Sequence, residues 1–97
     1  MHPAVLRLIN QVVIAAHDHG KWVGVCGELA GDPQAAPLLI GLGVDELSMN
    51  PGSIPRIKAV LKSIDKDESI DLAMSVLETE NAESARKMAK SFLDDQY

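Results

Sequence analysis

Aromatic side chains are almost missing from this 97-residue chain, which has one Trp, one Tyr and one Phe. Its core must therefore be assembled from Leu, Ile, Val, Ala and Met. The single cysteine, Cys26, excludes an internal disulfide and points to a reducing, cytoplasmic setting. No apolar run approaches the roughly 20 residues that cross a bilayer, so membrane insertion is not expected. The opening Met-His-Pro-Ala has no basic segment ahead of an apolar one, so no signal peptide is expected. Positive charge is also scarce: 9 Lys and Arg stand against 14 Asp and Glu, a net charge of −5. Without a basic stripe to meet a phosphate backbone, nucleic acid is excluded as an expected partner. The remaining composition, 46% hydrophobic and 24% charged, is that of one small globular domain.

Glycine and proline are missing from the last third. All seven glycines and all five prolines lie in residues 1–64, which carry five basic and five acidic groups and are neutral. Residues 65–97 carry four basic and nine acidic groups, which is the whole net charge. Their Ala, Ser, Glu, Lys and Asp content is helical. The chain thus divides into a compact α/β part, 1–64, and an exposed helical tail, 65–97.

Val5, Leu6, Ile9, Val12, Val13 and Ala16 recur at helical spacing behind Pro3, and Gly20 follows as a stop, predicting a helix over 3–19. Residues 21–26 are short, apolar and glycine-bounded, which predicts a strand buried on both faces, as in parallel sheets. Asp32 then Pro33 reads as an N-cap and first helical position, opening a helix over 33–42 that ends at Gly41 or Gly43. Pro37 either bends that helix or shortens its start. A second strand is predicted over 44–49. Ser53 is expected to cap a helix from Pro55 to about Ile64, and two further stretches, 70–77 and 82–93, read as helical.

Strands alternating with helices imply βαβ units and a parallel sheet. Two strands cannot make such a sheet with both faces covered. The chain therefore reads as a piece of a larger α/β protein, such as the end of a barrel. Parallel pairing of the two strands, with the helix 33–42 as crossover, is the expected topology.

Among candidate functional residues, Cys26 stands at the C-terminal end of the first strand, where α/β barrels place their chemistry. A lone cysteine on an apolar strand is otherwise a small core residue. Glu28 reads equally as a capping or ion-pairing residue and as a site residue. Gly27 and Gly31 could serve turns alone. His17 and His19 are two apart on a helix and share no face, which argues against a metal site. His2 reads as a pre-helix residue. The acidic groups Asp65, Asp67, Glu68, Glu78, Glu80 and Glu83 read as a solvated helix face, and Met74 and Met88 as packing.

The stretch Gly24-Val25-Cys26-Gly27-Glu28-Leu29-Ala30-Gly31-Asp32 resembles the cysteine motif of the phosphoenolpyruvate-utilising enzymes, above all the enzyme I type of the bacterial phosphotransferase system. The resemblance extends to His2-Pro3-Ala4-Val5-Leu6-Arg7, to Gly43-Val44-Asp45-Glu46-Leu47-Ser48-Met49 and to Ser53-Ile54-Pro55-Arg56-Ile57-Lys58. It implies the last two strands of a (β/α)8 TIM barrel followed by a helical tail.

It also implies a phosphoenolpyruvate–protein phosphotransferase. Such a parent passes a phosphoryl group to an active-site histidine on another domain and on to a histidine phosphocarrier protein in sugar uptake. Cys26 would then protonate enolpyruvate, with Gly27 and Glu28 beside it. Thiols with a pKa of about 8.5 are mostly protonated at neutral pH and can act as acids. The family's Mg2+ ligands and substrate-binding arginines lie upstream, so the fragment alone is expected to hold no metal and to be inactive. A homodimer is expected. The alternatives are a standalone interaction or dimerisation module with a vestigial motif, and the matching piece of a pyruvate phosphate dikinase or phosphoenolpyruvate synthase.

Overall fold

The computed structural model describes residues 1–96, so Tyr97, the end of the expected tail, lies outside the described residues. Its elements run α1 (Pro3–Asp18), β1 (Gly24–Cys26), α2 (Ala36–Gly41), β2 (Glu46–Ser48), a 3-10 turn (Pro51–Ser53), α3 (Ile54–Ser63), α4 (Lys66–Leu77) and α5 (Ala82–Gln96). The result is a mostly helical α/β fold with one two-stranded parallel sheet. Gly24 pairs with Glu46, Val25 with Leu47 and Cys26 with Ser48, the expected parallel pair.

Helix α1 starts and stops on local chemistry. The His2 ring nitrogen Nδ1 accepts from the Ala4 N–H at 3.0 Å, and Pro3 follows in the first turn. At the far end the Gly20 N–H bonds the His17 carbonyl at 3.0 Å and the Lys21 N–H the Ala16 carbonyl at 2.8 Å. This crossed pair needs a left-handed residue, and Gly20 supplies it at φ 68°. The same device ends α2: Gly43, at φ 96°, bonds the Ile40 carbonyl, and Val44 bonds that of Leu39.

Several expected boundaries move. Helix α2 covers Ala36–Gly41 rather than 33–42, because Pro37 falls in its first turn and leaves residues 32–35 as turns. Asp32 still caps that turn, accepting from the Gln34 N–H at 2.9 Å. Ser53 makes no capping bond. Asn50 takes the role one turn earlier, accepting from the Gly52 N–H at 3.1 Å. Helix α4 begins at Lys66, not 70, because Asp65 caps it by accepting from the Asp67 N–H at 2.8 Å. Asp67 and Glu68 lie in the first turn of α4, where a helix dipole favours negative charge.

The strands are shorter than expected and are not buried on both faces. Val25 and Leu47 are half-buried against the core, while Gly24, Cys26, Glu46 and Ser48 are exposed on the other side. One layer of helices covers one sheet face, and successive side chains alternate between the two.

The short α2 lies at the centre, with Ala36, Pro37, Leu38, Leu39 and Gly41 all buried. Around it gather Leu6 and Val13 of α1, Val44, Ala73 and Val76 of α4, and Ala85 and Ala89 of α5. The helices expected as an exposed tail therefore contribute to the main core. Gly41 is the tightest point: a Cβ there would overlap the Ser69 backbone carbonyl and crowd the Ala73 Cβ. Met88 packs on this core as expected, whereas Met74 is exposed. Arg7 of α1 reaches across to the end of α4, donating to the Leu77 carbonyl at 2.6 Å. Its charge there meets the negative end of the helix. Among the described residues no helix is long and apolar enough to cross a membrane.

Candidate functional site

The site is built on the ends of the two strands. Cys26 is the last residue of β1 and its thiol is free and exposed. Alternation sets it on the open face of the sheet, since Val25 before it takes the core side. Its register partner on β2 is Ser48, whose hydroxyl donates to the Glu46 carboxylate at 3.3 Å. Parallel strands present paired residues on one side, so a thiol, a hydroxyl and a carboxylate line the same open face.

The chain then turns sharply. Gly27 adopts φ 92°, a left-handed conformation that side-chain-bearing residues rarely take, and no atom lies near its missing Cβ. Its N–H still bonds the Ser48 carbonyl at 3.2 Å, which keeps the thiol end of β1 tied to β2. Glu28 opens the next turn, with its carbonyl accepting from the Gly31 N–H at 3.1 Å. Gly27, Glu28, Gly31, Met49, Asn50 and Ser53 line a pocket of about 360 Å³ between the two strand-end loops. Glu28 thus shares this pocket with Asn50 and Ser53 of the 50–53 turn, whereas Cys26 is not part of that lining.

The histidines have structural partners. His17 Nε2 lies 2.7 Å from Asp45 Oδ2, and the same oxygen accepts from the Val23 N–H at 2.8 Å. These hydrogen bonds, first that of His17 and then that of Val23, hold the Asp45 carboxyl below the usual carboxylate range. The link pins the end of α1 to the entry of both strands. His19 Nδ1 lies 2.9 Å from the Ala15 carbonyl. Among the described residues no three His, Cys, Asp or Glu side chains gather to hold a metal ion. The donor set around Cys26 does not by itself fit the Mg2+ that the resemblance implies.

Sequence reading missed Ser48 and Glu46 beside the thiol. A period of two along 46–48 together with the strand register would have found them. The Asp45–His17 link had no local signal, being a contact between residues 28 apart.

A parallel strand pair ending in a Cys-Gly-Glu turn is a small α/β unit that can be set beside known proteins. Residues 1–66 match the family described as "PEP-utilising enzyme, PEP-binding domain", and the chain belongs to it. Over 93 residues it is 45% identical to the phosphoenolpyruvate-protein phosphotransferase of Haemophilus influenzae, covering 96% of this chain and 16% of that protein. The Listeria monocytogenes protein of the same name is 42% identical over 91 residues, covering 94% of this chain and 16% of that protein. A multiphosphoryl transfer protein of Escherichia coli is 40% identical over 94 residues, covering 97% and 11%. The chain therefore spans about a sixth or less of the length of these curated relatives.

Proposed function

We propose that this chain is the C-terminal part of a phosphoenolpyruvate–protein phosphotransferase, with β1 and β2 as the last two strands of a (β/α)8 barrel. Residues 1–64 would be its final quarter and 65–97 its closing helices. The observation that carries the reading is the placement of Cys26. It ends a parallel strand, faces the uncovered side of the sheet and is followed by a left-handed glycine that leaves the thiol unobstructed. The match of residues 1–66 to a phosphoenolpyruvate-binding family supports the same substrate.

In this reading the phosphoryl group leaves phosphoenolpyruvate for a histidine of another domain and passes to a histidine phosphocarrier protein in sugar uptake. Breaking the P–O bond leaves enolpyruvate, whose electron pair at the methylene carbon needs a proton. The Cys26 S–H supplies it, pyruvate forms, and solvent reprotonates the exposed thiolate. Glu28 lines the neighbouring pocket and Gly27 sets the turn. Mg2+ and the groups that hold the substrate's anionic ends would come from parts of the parent outside this chain. Mg2+ would neutralise charge on the phosphoryl group. The fragment alone would be inactive. The protein would work in the cytoplasm, where a free thiol is stable, as a homodimer.

Cys26→Ala in the intact protein tests this. Pyruvate release should fall at least about 100-fold, the usual worth of a positioned acid, while phosphoenolpyruvate still binds. Normal turnover by the variant would remove Cys26 from the mechanism.

A further inference from the structure

A second pocket, of about 500 Å³, opens where α3 and α5 meet the turn before α2. None of its lining residues belongs to the pocket beside Cys26. Its walls bring together Arg56 of α3 with Arg86 and Lys90 of α5. That is three of the chain's nine cations gathered in a protein of net charge −5. Arg86 and Lys90 are four apart on α5, so two like charges stand on one helix face, an arrangement that costs stability when nothing lies between them.

Among the described residues Arg86 alone of the three is paired. Its guanidinium donates to Asp32 at 3.0 Å and Gln34 at 2.8 Å, which fixes the fork at the pocket's edge. Arg56 and Lys90 make no side-chain hydrogen bond or ion pair among the described residues. Asp94, one turn beyond Lys90, lines the same space but lies outside ion-pair distance of either. Pro33 and Leu93 add an apolar wall. The volume falls within the range of small-molecule sites.

We propose that this cleft is a binding site for a small phosphate-bearing anion, held between Arg56 and Lys90 with Arg86 at its edge. Phosphate suits the set because arginine forks pair with two of its oxygens and a lysine offers a compact point charge. The site stands apart from the proposed phosphoryl-transfer chemistry and does not depend on it.

Titration of the protein with inorganic phosphate at constant ionic strength, followed by calorimetry and by amide shifts in 15N-labelled protein, tests the site. Saturable binding is expected, with the largest shifts at residues 32–34, 56 and 86–94. Arg56→Gln and Lys90→Gln should each weaken it at least fivefold, and Asp94→Asn should tighten it. Neither cation makes a fold-holding bond, so both variants should keep the wild-type Tm. Binding of phosphate that ignores both substitutions, or shifts that rise linearly without saturation, would overturn the proposal. Cys26→Ala should bind phosphate here as the wild type does, which separates this site from the proposed reaction.

Discussion

The two sides of β1 and β2 are finished to different degrees. On one side α2 is enclosed by α1, α4 and α5, and Leu38, Leu39, Ala36 and Val76 are fully buried. The other side, the sheet face carrying Cys26, is bare, and beyond the sheet Trp22 is 69% exposed and, on the outer face of α1, Leu8 61% and Val12 58%. Val5, Leu8, Ile9, Val12, Val23 and Val25 line an apolar groove of about 230 Å³ between α1 and β1. Apolar surface of this kind in a stable protein normally has a cover. The contrast teaches that the helices complete a core of their own, whereas the strand edges and the outer face of α1 are shaped for more polypeptide.

The sharpest way to break the finished side is Gly41→Ala. The added methyl would meet the Ser69 carbonyl, backbone that cannot step aside without parting α2 from α4. Overpacking of this kind should cost about 3 kcal/mol or more, despite the gain in helix propensity. Denaturant unfolding would read it as a large drop in midpoint, and a change below about 1 kcal/mol would show that α2 and α4 are not tightly docked. Leu39→Ala, on the same side, should cost about 2–5 kcal/mol.

Leu8→Ala is the matched substitution on the exposed face of α1. In the isolated chain it should change stability by less than about 0.5 kcal/mol, because Leu8 buries little here. In the intact parent the same change should cost a substantial part of the Leu39 value, since the remaining chain would cover it. Equal small effects in both settings would mean that the face stays open. Sedimentation of the isolated chain gives a companion reading: association is expected at high concentration, and Val12→Lys should reduce it.

The smallest effect expected is at the seam between the two sides, where Asp45 joins α1 to the strands. Its carboxyl is held below its ordinary range by His17 and the Val23 N–H. The carboxylate form is therefore favoured by folding. The contribution is present above the unfolded value near pH 4 and is lost as pH falls through the lower folded value. Asp45→Asn should thus be slightly less stable than wild type at pH 6–7, and the gap should close below about pH 4. A gap that widens in acid would contradict the assignment.

Much of this was legible along the chain. Helix α1, its Pro3 start, its Gly20 stop and the Cys-Gly-Glu turn all depend on residues within a few positions of one another, and the parallel pairing, though it joins segments 22 residues apart, followed from the strand–helix–strand order. The candidate site was readable as far as Cys26, Gly27 and Glu28, because a strand end followed by glycines is a local pattern. Ser48 and Glu46 were not, because they reach the open face beside the thiol only through the strand register.

The remaining features came from contacts between distant segments. Arg7 caps a helix that ends 70 residues later, Arg86 ties α5 to a turn more than 50 residues before it, and Asp45 is held by a histidine 28 positions away. Alanines 73, 85 and 89 look in sequence like parts of a polar tail, yet they are buried because α4 packs on α2 and α5 packs on α4. Propensity, capping and glycine geometry are local energies, and they were enough to set where elements begin and end to within a few residues. Which face of each element meets another is set by packing across the whole fold. Only the folded arrangement decided that the helices would close one side of the strands and leave the thiol side uncovered.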